Sequence, residues 1–225
     1  MKLKKFISLM TLALAAVGFS ACNSDSNDEL TVQVSNIVTY QGNANSRAVL
    51  TYQGVDDDAP ITLRATPELD PTKVKIGDRV FVMFNVPAGS TLKNDMEITL
   101  IDAFGVPTVT PEVAARPANW ESSQSLYVQT LFRSGTWLNM QALIPATSTK
   151  FDFKLYVDPE SLKTEEVEAY MVYTNSESDF GVTNAPTFAC FNIASIWNLP
   201  TCKKLIFHVN NSNGVTNSVF EFVKK

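Results

Sequence analysis

DRVFVMFNV, residues 78–86, decides the fold. Val80, Val82 and Phe84 alternate with Phe81 and Met83, so a period of two holds along the stretch while both alternating sets are apolar. That is the pattern of a strand covered on both faces. Working upstream, TVQVSNIVTY (31–40) opens a first strand, and an Asn/Gly-rich loop at 41–46 breaks it. RAVLTYQ (47–53) and PITLRA (60–65) are two more strands, joined as a hairpin through a turn that carries Asp56, Asp57 and Asp58. Between 66 and 77, Pro67 and Pro71 disfavour a long helix and leave room for a short helical turn or none. Downstream, DMEITLIDAF (95–104) is a fifth strand. Five strands within 31–105, with a connector after the third, predict a small closed barrel of the OB type. Closure removes the open edges that otherwise invite aggregation.

Residues 106–117 hold Pro107, Pro111 and Pro117 and little alternation, which reads as a Pro-rich linker or a covering extension. Strands then resume at 125–132, 136–144, 150–157, 166–174, 188–196, 203–209 and 219–223. Turn residues separate them at Asp158-Pro159, Asn175-Ser176, 198–200 and 210–214. Seven strands so spaced predict an antiparallel β-sandwich over 118–225. No long helical periodicity and no internal repeat interrupts this all-β reading.

The other informative stretch is the first 30 residues. Lys2, Lys4 and Lys5 precede an apolar run from Phe6 to Val17, then Gly18, Ser20, Ala21 and Cys22. That order predicts a secretory signal peptide over 1–21. Phe19-Ser20-Ala21-Cys22 resembles a lipoprotein signal, which makes Cys22 the expected lipid attachment site and the acyl chains the membrane contact. Residues 22–30 read as an acidic, flexible tether. Asp25, Asp28 and Glu29 resemble the signal that exports lipoproteins to the cell surface in Bacteroidetes, and a solvated spacer is the plainer alternative. The expected location is the outer membrane, on its periplasmic face or at the cell surface.

Removing 1–21 leaves 204 residues with 15 basic and 23 acidic groups. So acidic a chain lacks the electrostatic footprint of a nucleic-acid-binding protein. Lipid rather than a basic patch must hold it at a membrane. With Cys22 acylated, Cys190 and Cys202 remain: either a disulfide, as exported chains use, or two separately buried thiols. His208 is the single histidine and sits in an apolar strand, so neither a serine triad nor a His/Cys metal set is predicted. The aspartates at 56–58 lack a calcium-loop spacing and read as a solvated turn. No phosphate loop or dinucleotide fingerprint occurs, and no cofactor is expected. Of the three tryptophans, Trp137 and Trp197 lie in apolar strands and read as core. Trp120 precedes polar ESSQS and is the candidate for ligand stacking.

Lipoprotein signal, barrel and sandwich, in that order, resemble the NigD-like lipoproteins of the Bacteroidetes. The resemblance is carried by residues 37–40, 61–65, KIGDRVFV (75–82) and 97–101 in the first half. In the second half it is carried by SGTWLNMQ (134–141) and FNIASIW (191–197). It implies an N-terminal OB domain, a C-terminal β-sandwich and no established enzymatic activity. The family's name comes from association with a bacteriocin gene, so the implied role is a non-enzymatic binding or accessory module, immunity-like in its concrete form. A surface glycan-binding accessory protein and a fimbrial subunit are the alternatives, and the partner, protein or glycan, is unknown.

Overall fold

The computed structural model describes residues 30–146, 150–176, 183–214 and 218–224. Its first half is a closed barrel of β1 (Thr31–Ala44), β2 (Arg47–Tyr52), β3 (Ile61–Thr66), β4 (Arg79–Pro87) and β5 (Met96–Gly105). The strands run in the order β1-β2-β3-β5-β4, and β4 closes on β1 over nine consecutive pairs from Thr31↔Pro87 to Thr39↔Arg79. Within the barrel only β3 and β5 pair in parallel, across the 66–77 connector and β4. The connector holds no helix; Asp70 folds its own turn, accepting from the Thr72 amide and hydroxyl.

β4 behaves as its sequence demands. Val80, Val82, Phe84 and Val86 fill the barrel with Val38, Leu50, Leu63 and Ile98. Phe81, on the opposite face, is buried outside the barrel. β1 outruns its expected end. It absorbs the Asn/Gly-rich stretch through an irregularity between Tyr40 and Gly42, where Gly42 takes φ +111°, and continues to Ala44. Asn45 and Ser46, both with positive φ, then make the tight turn into β2.

The second half packs two sheets over one core. One has the order β14-β13-β11-β10-β7, from β7 (Glu112–Val113), β10 (Phe151–Val157), β11 (Glu166–Asn175), β13 (Lys204–Val209) and β14 (Val219–Val223). The other has the order β6-β12-β9-β8, from β6 (Thr108–Val109), β8 (Tyr127–Ser134), β9 (Trp137–Pro145) and β12 (Asn184–Asn192). Leu138, Met140, Phe191, Leu155, Met171 and Phe207 meet between them. Every sandwich strand read from the sequence is present, and three features differ. The sheets are mixed and not wholly antiparallel: β11 pairs β13 in parallel, as do β10 with β7 and β12 with β6, because long connections join those strands in place of hairpins. The Pro-rich 106–117 stretch contributes the two-residue strands β6 and β7, one to each sheet. FNIASIW does not stay extended: after Asn192 it turns into the short helix α1 (Ala194–Trp197), with the Asn192 side chain accepting the Ala194 amide.

The two halves meet through a small apolar cluster of Phe81, Val106 and Cys190, flanked by Ile37, Met83, Trp137 and Phe188. Phe81 stacks on Phe104 at 4.8 Å between centroids and lies 4.7 Å from Phe188. Burying such side chains contributes roughly 1.5–3 kcal/mol each.

Candidate functional site

Two arginines dominate the junction between barrel and sandwich. Arg133, on β8, is 1% exposed. Its guanidinium forks onto Asp57 of the barrel with N–O distances of 2.8 and 2.9 Å, and it also donates to the Gly135 carbonyl at 2.8 Å. Behind it lies the Trp197 ring, 4.3 Å from the guanidinium carbon. The backbone follows the same path: the Asp56 amide donates to the Arg133 carbonyl and the Gly135 amide to the Asp56 carbonyl. Gly135 has φ +56°, and a Cβ there would strike the Gln53 side chain of the barrel. The aspartate turn, read as solvated, is therefore a docking turn. A planar cation with five donors needs a paired oxygen acceptor, and Asp57 supplies one.

Arg79 opens β4 and is equally buried, yet its acceptors are all neutral. It donates to Thr39 Oγ1 (2.8 Å), to the Ile37 carbonyl (3.3 Å) and across the junction to Asn139 Oδ1 (2.8 Å). Its guanidinium sits 5.2 Å from the Trp137 ring. Burial pushes its pKa down, with nearby Cys190 opposing. The same Asn139 oxygen accepts from the Cys190 thiol at 3.3 Å, and Asn139 Nδ2 donates to Ser134 Oγ at 2.8 Å. Neither arginine was singled out from the sequence. Each stands in an apolar strand next to a hydrophobic residue, where a lone charge is the available signal of a buried polar partner.

The residues that were singled out are scattered. Cys22, Asp25, Asp28 and Glu29 lie outside the described residues. The disulfide considered for Cys190 and Cys202 is not formed: both are free and buried, Cys190 in the junction and Cys202 in the sandwich core. Burial pushes both thiols up, with Arg79 pulling Cys190 partly back. Trp120 is not presented to solvent as a stacking surface. It is half-buried, donates from its indole nitrogen to the Met171 carbonyl at 3.0 Å, and meets Tyr170 and His208 edge-on. β13 pairs β11 only as far as Met171↔Val209; beyond it the 120–124 stretch covers the β11 edge, with Gln124 bridged to Tyr173. Trp197 is core, as its sequence predicted, while Trp137 lies in the junction.

His208 stacks flat on Tyr170 at 4.5 Å and is paired with Glu168. Burial, and then Glu168, push the Tyr170 hydroxyl up. Among the described residues no group of three or more metal-ligating side chains comes together. What the surface does offer is a groove of 470 Å³ beside β10, walled on one side by Phe151–Leu155 and on the other by the 107–112 crossing segment.

No protein-family model and no curated protein matches the chain. Among solved structures, a protein of unknown function (DUF1344) from Bacteroides vulgatus is similar in fold, with a TM-score of 0.61 at 16% identity over 86% of this chain and 90% of that one. A candidate lipoprotein from Bacteroides fragilis gives a TM-score of 0.52 at 15% identity, over 85% of this chain and 96% of that one. A NigD-like immunity protein from Bacteroides caccae gives 0.56 at 14% identity, over 85% of this chain and 97% of that one. The resemblance read from the sequence thus holds at the level of the fold: this chain has the barrel-and-sandwich architecture of a NigD-like protein along nearly its whole described length.

Proposed function

We propose that this protein is a lipid-anchored envelope protein whose barrel and sandwich act together as a non-enzymatic binding module, in its concrete form a bacteriocin immunity protein. The observation that carries the reading is the fold shared with a NigD-like immunity protein over 97% of that chain. The lipoprotein signal ending at Cys22 supports it from the sequence, and Asp25, Asp28 and Glu29 favour the outer face of the outer membrane. Anchoring through several acyl chains holds a protein at the envelope without any basic patch, since each buried CH₂ contributes about 0.8 kcal/mol. The acidic mature chain leaves nucleic acid out of the partner list. The glycan alternative drew on the tryptophans and the surface anchor, and its stacking candidate, Trp120, is engaged by the chain's own sheet.

Deleting the gene is expected to sensitise its strain to bacteriocin-containing supernatants of neighbouring strains, with restoration by the wild-type gene. Unchanged sensitivity across such a panel sinks the immunity reading. Cys22→Ala is expected to move the protein from the membrane pellet to the soluble fraction. Persistent membrane binding of that variant sinks the anchor.

A further inference from the structure

Among the described residues, one side of the β10 backbone is unpaired at Phe151 and Phe153. Three hydrogen bonds fix which residues face which way: Ser176 N–H to the Lys150 carbonyl (3.2 Å), Asp158 N–H to the Glu168 carbonyl (3.0 Å) and Ala114 N–H to the Val157 carbonyl (3.1 Å). The even residues of β10 therefore face β11, and the odd ones face the sheet edge. β7 occupies that edge only at Tyr156↔Glu112 and Val157↔Val113. Phe151 and Phe153 turn their amides and carbonyls into the 470 Å³ groove, where the crossing segment has moved off to the other sheet as β6. The groove floor is apolar, with Phe153 and Leu155 in the sandwich core and Val109 packed against it. Its rim carries exposed Glu112 and Asp152 against Lys154.

From this geometry we infer that the β10 groove is a docking slot for an extended, unpaired segment of another polypeptide, of alternating apolar and polar residues with basic flanks. Open N–H and C=O groups that recur every second residue, about 6.6 Å apart, are matched by another extended backbone and not by a sugar or a small anion. Pairing there continues the ladder that β7 has already begun on the same edge. Walls on both sides exclude a strand that already belongs to a sheet in a second folded copy. An edge of so few residues also offers far less than the roughly 1,200–2,000 Å² of a stable folded interface. The rim's net negative charge, in a chain with 23 acidic and 18 basic residues, selects the basic flanks. Of the other open stretches, the start of β8 is covered by the Asn210–Asn213 loop, its end by Asp56, and the top of β11 by Gln124; among the described residues β14 pairs only β13 and lies away from the groove.

The inference rests on the binding role proposed above and names its contact. The probe is a fluorescein-labelled peptide, KVTVTVTVK, titrated into the whole protein with polarisation as readout. Saturable binding is expected. Placing proline at the central position is expected to weaken it by about tenfold or more, because one amide is lost and the ring clashes. The acidic peptide EVTVTVTVE should bind more weakly than the basic one. Thr110→Trp fills the groove from an exposed position and should abolish binding with an unchanged melting temperature. Hydrogen exchange should slow at the Phe151 and Phe153 amides when the peptide is added. Equal binding by Thr110→Trp, no saturation, or protection at β14 instead overturns the inference. A strain carrying Thr110→Trp that keeps full bacteriocin protection also overturns the slot while leaving the immunity role standing. Peptide binding by a protein whose deletion changes no sensitivity leaves the slot standing and removes the role.

Discussion

A guanidinium held at 1% exposure has exchanged its water for fixed partners, and at Arg133 those are Asp57, the Gly135 carbonyl and the Trp197 ring. Truncating one member of such a set strands the others. Arg133→Ala is expected to lower unfolding free energy by about 2–4 kcal/mol in urea titrations. Asp57→Ala should cost less, about 1–3 kcal/mol, because its carboxylate is 55% exposed and partly screened. The double variant should cost less than the two added together, since removing both leaves no stranded charge. The thiols make a second prediction at this scale. Cys190 and Cys202 have pKa values raised by burial, so the native state holds their protons more tightly than the unfolded chain does. The stability tied to that difference is complete below the ordinary thiol value and is lost as pH rises past it toward the raised native values. The urea midpoint is expected to fall between pH 7 and pH 10, and less so in Cys190→Ala. In the native protein both thiols should resist alkylation and react after denaturation.

Edge protection is an affair of elements. β8 borders its sheet, and its open side is closed by side chains: Asn211 Oδ1 accepts the Val128 amide at 3.1 Å, and Asn213 Nδ2 donates to the Val128 carbonyl at 2.7 Å. Asn211→Ala should accelerate hydrogen exchange at Val128 and cost about 1–2 kcal/mol. An unaltered exchange rate there would show that the loop does not guard the edge. Strands of this kind were legible in the sequence wherever alternation ran for five residues or more, as in β4 and β9. β6 and β7 were not, because two residues carry no period, and prolines at 107 and 111 read as linker. α1 was missed for a related reason: FNIASIW is apolar except for Asn192 and Ser195, and a four-residue helical turn cannot be told from strand by hydrophobicity alone. Of the junction, Phe81 was foreseeable as a second apolar face. Arg79, Arg133 and the partner of Asp57 were not, because their pairing is a fact about two halves that are more than 50 residues apart in sequence.

At the scale of the whole molecule, the junction couples what the sequence divides into barrel and sandwich. Phe81, Cys190 and the two arginines are buried only while both halves are folded and docked. Calorimetry of the protein is therefore expected to give a single transition with matching calorimetric and van't Hoff enthalpies. Asp57→Ala combined with Arg79→Ala should split it in two. Persistence of one sharp transition in that variant would place the coupling elsewhere.

The nine-pair ladder between β1 and β4 has a mechanical meaning. Its Thr31↔Pro87 end is where the described chain enters the barrel, and its Thr39↔Arg79 end is fastened to the sandwich through Arg79 and Asn139. A tug on the sandwich, resisted at the N-terminus, loads β1 and β4 lengthwise in opposite directions. All nine pairs then share the load in shear, and none is peeled off ahead of the rest. Single-molecule stretching between the N-terminus and the sandwich should accordingly find the barrel giving way late and at high force, a property suited to the anchored role proposed above.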